Sequence, residues 1–403
     1  MMRTSRQRSR QPVPARQKAT IATAVLGALS IGLALTGMPH DVGAAPSQRA
    51  ANRRVDLQRP TFSDPTNITN ELFPINEVEQ SIQLGAEGDV TLRHEITLLD
   101  ETKLVRWNGR DIETVVSQFV AYGDGEILEV ATDYFAQADD GAVWYLGEDV
   151  TNYENGRVEN HDGTWLAGRD GPGGMIMPAN PEVGDVYRPE NIPGFVFEEV
   201  TVKQTNMTVD GPTGPVHGAI LVQERLMDGT LEDKIFAPGY GEFEASVPAS
   251  DELVTVAVAV PTDEADRSAP RALDRLSDTA AKLFDEGTVR NWTRLSALAT
   301  DAHRAWDALT VAVVPPLLDT EGSAALDALD AALASRSLAD LRQAAIDLEL
   351  ATLDIEMRYE DLEDVDEDRI ELWRNQLRLH LQARDRAGEA SDRAILDAIR
   401  DRL

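Results

Sequence analysis

A chain of 403 residues with a formal charge of −32 and no cysteine is long enough for about two domains, and it excludes disulfides, thiolate metal sites and cysteine nucleophiles. A surface this acidic repels nucleic acid and anionic lipid, so neither is an expected partner. Stability has to come from packed cores.

At the amino terminus Arg3, Arg6, Arg8, Arg10, Arg16 and Lys18 precede the largely apolar run Ala19 to Gly37 and the small-residue stretch Val42-Gly43-Ala44-Ala45. That order predicts a signal peptide over residues 1–44, cut after Ala44, and hence an exported protein in the periplasm, cell wall or medium. The run is also close to membrane-spanning length, which leaves an uncleaved anchor as the competing reading. After cleavage no stable membrane insertion is expected, and loss of the basic leader leaves the mature chain more acidic still.

Residues 45–70, with Pro46, Pro60 and Pro65, show no sustained apolar period and read as a flexible lead-in. Over 71–260 short β-branched and aromatic runs alternate with turn pairs, as in Thr114 to Tyr122, then Gly123-Asp124-Gly125, then Ile127 to Phe135. Similar punctuation recurs at Asp140-Gly141, Asn155-Gly156, Asp162-Gly163 and Asp228-Gly229. Asn-Gly and Asp-Gly tolerate the positive φ of tight hairpins, so the pattern predicts an antiparallel β meander, folded as a curved sheet, an open barrel or a sandwich.

Residues 261–268 form a charged linker in which Ser268 is placed to cap a following helix, and from 269 the apolar period becomes helical. Helices are expected at about 269–286, 288–311, 321–335, 338–359, 366–384 and 386–402, with Pro315 and Pro316 ending the second. Ser337 followed by Asp340 marks a helix start. The fold class is therefore α+β, the meander being followed by a separate C-terminal α-helical bundle. Trp292, Trp306 and Trp373 stand at apolar helical positions and read as core.

Four stretches of the β-rich part occur in a familiar order. These are Thr69-Asn70-Glu71-Leu72-Phe73-Pro74-Ile75, Val143 to Asp149 (VWYLGED), Met177 to Asp185 (MPANPEVGD) and Ala237 to Gly241 (APGYG). Together they resemble a poorly characterised family of exported bacterial β-rich proteins and lipoproteins over about 70–245. The resemblance implies a β-rich fold and carries no catalytic residues. The P-G-x-x-W-x-Y stretch usual after the opening is replaced here by Asn76 to Gln83.

The densest polar stretch, Glu148 to Tyr187, is the candidate ligand mouth of the sheet. Within it His161 beside Asp162, with Asp149 or Glu154, is a candidate acid-base or metal-dependent hydrolase site, because a carboxylate orients an imidazole that titrates near neutrality. No G-x-S-x-G, H-E-x-x-H or phosphate-loop pattern accompanies it. In the helical part His303 and Asp307 share one face at i and i+4, and with Asp354 and His380 they are candidate ligands for a divalent metal. No converging catalytic set is legible, so the preferred expectation is a non-enzymatic exported binding or interaction protein without a cofactor. Its partner would be a small molecule, a divalent cation or another protein.

Overall fold

The computed structural model of the chain describes residues 52–310 and 314–403. The leader and the cut after Ala44 lie outside these residues. The strands are β1 Arg53–Arg54, β2 Gln80–Glu87, β3 Val90–Trp107, β4 Arg110–Gly123, β5 Glu126–Gln137, β6 Val143–Glu154, β7 Arg157–Asn160, β8 Trp165–Leu166, β9 Gly174–Met177, β10 Asp185–Tyr187, β11 Asn191–Ile192, β12 Val196–Phe197, β13 Glu199–Gly211, β14 Gly214–Arg225, β15 Leu231–Ala237, β16 Gly241–Val247 and β17 Glu252–Val260. Six helices follow: α1 Arg271–Glu286, α2 Trp292–Thr310, α3 Pro316–Ser335, α4 Leu338–Glu356, α5 Leu362–Ala383 and α6 Arg386–Asp401.

Fifteen of the strands form one sheet in the order β1-β10-β13-β14-β15-β16-β17-β2-β3-β4-β5-β6-β7, with β8 and β9 also paired to β6. Its ladders are antiparallel apart from the short β1–β10 pair. The turn pairs behave as their chemistry demands: Asp124 and Gly125 between β4 and β5 have φ of 50° and 78°, and Asn155 and Gly156 between β6 and β7 have 53° and 70°. Asn108-Gly109, with φ of 54° and 81°, supplies the β3–β4 hairpin in the same way.

The sheet curls without closing into a barrel. One buried cluster joins Val116, Phe135 and Tyr145 of β4–β6 to Val200, Val222 and Phe236 of β13–β15, strands that lie far apart in the pairing order. Only a strongly curved sheet lets such strands share a core. Where its ends approach, the Met175 N–H donates to the Arg188 carbonyl at 2.9 Å. Gly174 makes the approach possible, because a Cβ there would stand 1.7 Å from the Pro189 carbonyl oxygen.

The opposite face of the sheet carries the helices. Ile82, Leu84, Val120, Tyr122 and Ile127 share one buried cluster with Leu276, Leu341, Leu372 and Ile399. Tyr122 stacks on Trp373 with ring centroids 6.1 Å apart, and the Ile127 N–H donates to Ser391 Oγ at 2.8 Å. Beside this apolar contact lies a buried ionic network. Arg93 reaches both oxygens of Asp354 at 2.6 and 2.8 Å, Arg369 binds Asp354 at 2.9 Å and Asp366 at 3.0 Å, and Arg402 binds Asp366 at 2.7 Å and Glu95 at 2.8 Å. Both faces of the central strands are therefore buried, the convex one by helices.

Helix boundaries depart from the sequence expectation by a few residues: α2 begins at Trp292 rather than 288, α5 at Leu362 rather than 366, and α4 ends at Glu356 rather than 359. α3 begins at Pro316, with Pro315 as its N-cap, rather than at 321. Proline at a first helical position loses no hydrogen bond, since that amide has no intrahelical partner. α1 begins at Arg271 behind Pro270 and takes no side-chain cap, so Ser268 stands outside it. Ser337 caps α4 as expected, its side chain accepting from the Asp340 N–H.

Candidate functional site

The concave face of the sheet encloses a chamber. Apolar side chains make most of its wall, among them Phe73, Phe119, Phe135, Val222 and Phe236, and Asp133, Glu224, Lys234 and Glu242 add a polar side. Its cavity volume is about 50 Å³, within an empty space of about 760 Å³ that includes solvent at the opening. Of the lining side chains Ile75, Ile96 and Glu242 keep some contact with solvent.

Strand alternation places acids on this interior. In β5, Glu129, Ala131, Asp133 and Phe135 fall on alternate residues and are all buried. Glu148 pairs opposite Asp133 on β6, and Glu224 opposite Glu232 on β14 and β15. Glu190 and Glu198 complete a set whose members are at most 4% exposed. Lys234 is set against them, 3.0 Å from Glu224, 3.5 Å from Glu242 and 3.7 Å from Glu232. Tyr145 donates to Asp133 at 2.7 Å, and Trp165 Nε1 to Glu190 at 2.8 Å.

A carboxylate loses hydration on burial, and neighbouring carboxylates oppose its charge further. Burial first, then Asp133 and Glu190, push Glu129 up to about 8. Burial likewise raises Asp133 and Glu190 to about 7, and holds Glu148, Glu198 and Glu232 well above the usual carboxylate range. His94, edge-on to Phe119 with centroids 5.2 Å apart, is pushed down to about 3 by burial and then by Lys234, so its ring is neutral. Tyr187 and Ser81 also line the chamber, and their buried hydroxyls have no hydrogen-bond partner. Burying a hydroxyl without a partner carries a free-energy cost, which a bound molecule can relieve.

The residues singled out from the sequence lie elsewhere. Asp149 points to the opposite face from Glu148, accepting from Tyr134 at 2.6 Å and Lys103 at 3.0 Å. His161 donates from Nδ1 to the Val150 carbonyl at 2.7 Å, and Asp162 and Glu154 are exposed. No hydrogen bond or ion pair joins any two of these four among the described residues. In the helical part His303 pairs with Asp330 at 3.2 Å, and His380 with Asp392 at 2.8 Å. Asp354 is held by two arginines, and Asp307 is exposed on α2. No group of three or more potential metal ligands is gathered among the described residues.

The long stretch from Glu148 to Tyr187 does supply chamber wall, through Ile176 and Tyr187. Of the four recurrent sequence stretches, the first and the fourth reach the chamber wall, and the second and third contribute to the buried surroundings. Phe73 and Ile75 come from the first, Tyr145 and Glu148 from the second, Met177 from the third and Tyr240 from the fourth. The interior acids escaped the sequence reading because acids on alternate strand residues have the pattern of a solvated face. The available signal was apolarity on both parities of β5, where Leu128, Val130 and Tyr134 alternate with the acids. Comparison with family models, curated proteins and solved structures finds no match.

Proposed function

We propose that this chain is an exported, non-enzymatic binding protein whose curved sheet holds a small, largely apolar molecule. The observation that carries the reading is the chamber itself: a mostly apolar wall with a few converging polar groups, in a concave interior, is the usual form of a small-molecule site. Two orphan hydroxyls within it favour an occupant. The hydrolase reading loses its support, since His161 and its neighbouring acids do not converge. Metal capture by the helices loses it likewise, since His303, Asp354 and His380 each face a different partner.

The chamber's volume of about 50 Å³ is below the roughly 150 Å³ that holds a benzene ring, so benzyl alcohol as a probe also needs the opening to solvent beside Ile75, Ile96 and Glu242. Saturation transferred from the protein to its ring protons is expected, and Ser117→Phe, which fills the chamber from β4, should weaken the binding by about tenfold or more. Absence of transfer to the folded wild-type protein would remove the reading. Export rests on the leader, and the mature protein recovered from the periplasm or medium is expected to begin at Ala45. A chain still carrying Met1 in the membrane fraction would establish the anchor instead.

A further inference from the structure

We propose, on the footing of that chamber reading, that the bound molecule is a small organic monocation: a primary ammonium group on a short apolar body, with the ammonium paired to Asp133 and Glu242. The chamber's polar side is made of Asp133, Glu224, Lys234 and Glu242, three carboxyl groups to one base. Lys234 is already committed to Glu224, Glu232 and Glu242 at 3.0 to 3.7 Å, so an anionic ligand would find no free cation and would face the remaining carboxyls. A cation meets the reverse situation. Tyr145 occupies only Oδ1 of Asp133, leaving its second oxygen to accept from an ammonium, and Glu242 retains some exposure toward the opening.

Two further observations point to a ligand rather than to a purely structural acid cluster. Tyr187 is 1% exposed and Ser81 2%, and both line the chamber with hydroxyls that bond to nothing. An ammonium has three protons to give, and with two directed to Asp133 and Glu242 either hydroxyl can accept the third. The apolar wall from Phe119, Phe135 and Phe236 suits a hydrocarbon or aromatic body. A bare metal ion fits less well, because it would leave this wall uncovered and because the described residues gather no three-ligand group.

The protons balance simply. Asp133 is faced by Ser117 from β4, Glu129 on its own strand, Tyr145 and Glu148 from β6, Glu190 ahead of β11 and Glu242 from β16. In the empty chamber burial holds its carboxyl protonated up to about pH 7. An entering ammonium ion stabilises the carboxylate, and the carboxyl proton leaves to solvent as the ion pair forms.

Calorimetric titration at pH 6 with benzylamine, benzyl alcohol and benzoate, three probes on one ring, tests this. Benzylamine is expected to bind at least tenfold more tightly than benzyl alcohol, and benzoate not to bind. Repeating the benzylamine titration in buffers of different ionisation heat should show close to one proton released per amine. Asp133→Asn should abolish the preference for amine over alcohol while benzyl alcohol still binds. Should that variant not fold, Glu242→Gln, at the more open side, is expected to narrow the preference. Equal affinity for amine and alcohol, tighter binding of benzoate, or an amine preference untouched in both variants would overturn the proposal while leaving a ligand chamber in place. Failure of all three probes to bind would bring down the chamber reading as well.

Discussion

Replacing Asp354 by asparagine is expected to cost about 3–5 kcal/mol of stability, the range for breaking a buried ion pair from one side. The side chain is fully buried, and its two oxygens bind Arg93 and Arg369 at 2.6 to 2.9 Å. Without its charge, Arg93, Arg369 and Arg402 face only Glu95 and Asp366 of the set. A guanidinium cannot relieve the imbalance by losing its proton. Glu321 can offset part of the loss: burial and then the Asp354 charge raise its carboxyl to about 7 against the pull of Arg93, and without Asp354 it ionises more readily. The network joins β3 to α4, α5 and the chain beyond α6, so the helices should loosen from the sheet first. Amide hydrogen exchange should therefore accelerate in α4–α6 more than in β13–β17. The pair of exposed Arg393 and half-buried Glu389, 3.7 Å apart, is the control, and Arg393→Ala should cost under about 1 kcal/mol. Equal effects from the two substitutions would contradict this account of the interface.

Asp354 also shows where sequence reading stops. The sequence groups it with His303 and His380, because helical spacing is all that a local pattern offers. Its partner Arg93 lies 261 residues earlier, and no periodicity reports a contact at that distance. Arg93, Glu95 and Thr97 alternate along β3 as a solvated face would, yet all three are buried under helices. The interior acids of β5 are hidden by the same ambiguity. What was legible is what short-range chemistry decides. Positive φ at Asp124-Gly125 and Asn155-Gly156 fixed the hairpins, the period change near 269 separated sheet from helices, and Ser337 marked the start of α4. Burial of a charge is decided by its partner, and the partners that tie helix to strand, Asp354 to Arg93 and Arg402 to Glu95, are long-range.

The second large effect follows from those interior acids: the melting temperature should be highest near pH 5 and fall toward pH 8. A carboxyl whose folded pKa lies above its unfolded value binds more protons in the folded state. Its stabilising contribution is complete below the unfolded pKa and is lost as pH rises through the folded one. For Glu129, raised to about 8, and Asp133 and Glu190, raised to about 7, the window therefore runs from about 4.3 to 7 or 8. Each group costs up to about 1.4 kcal/mol per pH unit inside that window. His94 works the other way. Pushed down to about 3, it favours the folded state increasingly as pH rises to its unfolded value near 6.5. One imidazole offsets roughly one carboxyl, and only below that pH, so the acids prevail. Repulsion over the acidic surface would mimic the trend but is screened by salt, whereas a buried cluster is screened far less. The fall should therefore persist in 1 M sodium chloride. It should flatten in Glu148→Gln, which puts an uncharged amide in place of a fully buried carboxyl held well above its usual range. A melting temperature that rises from pH 5 to 8, or whose fall disappears in high salt, would mean that these carboxyls are ionised or hydrated in the folded protein.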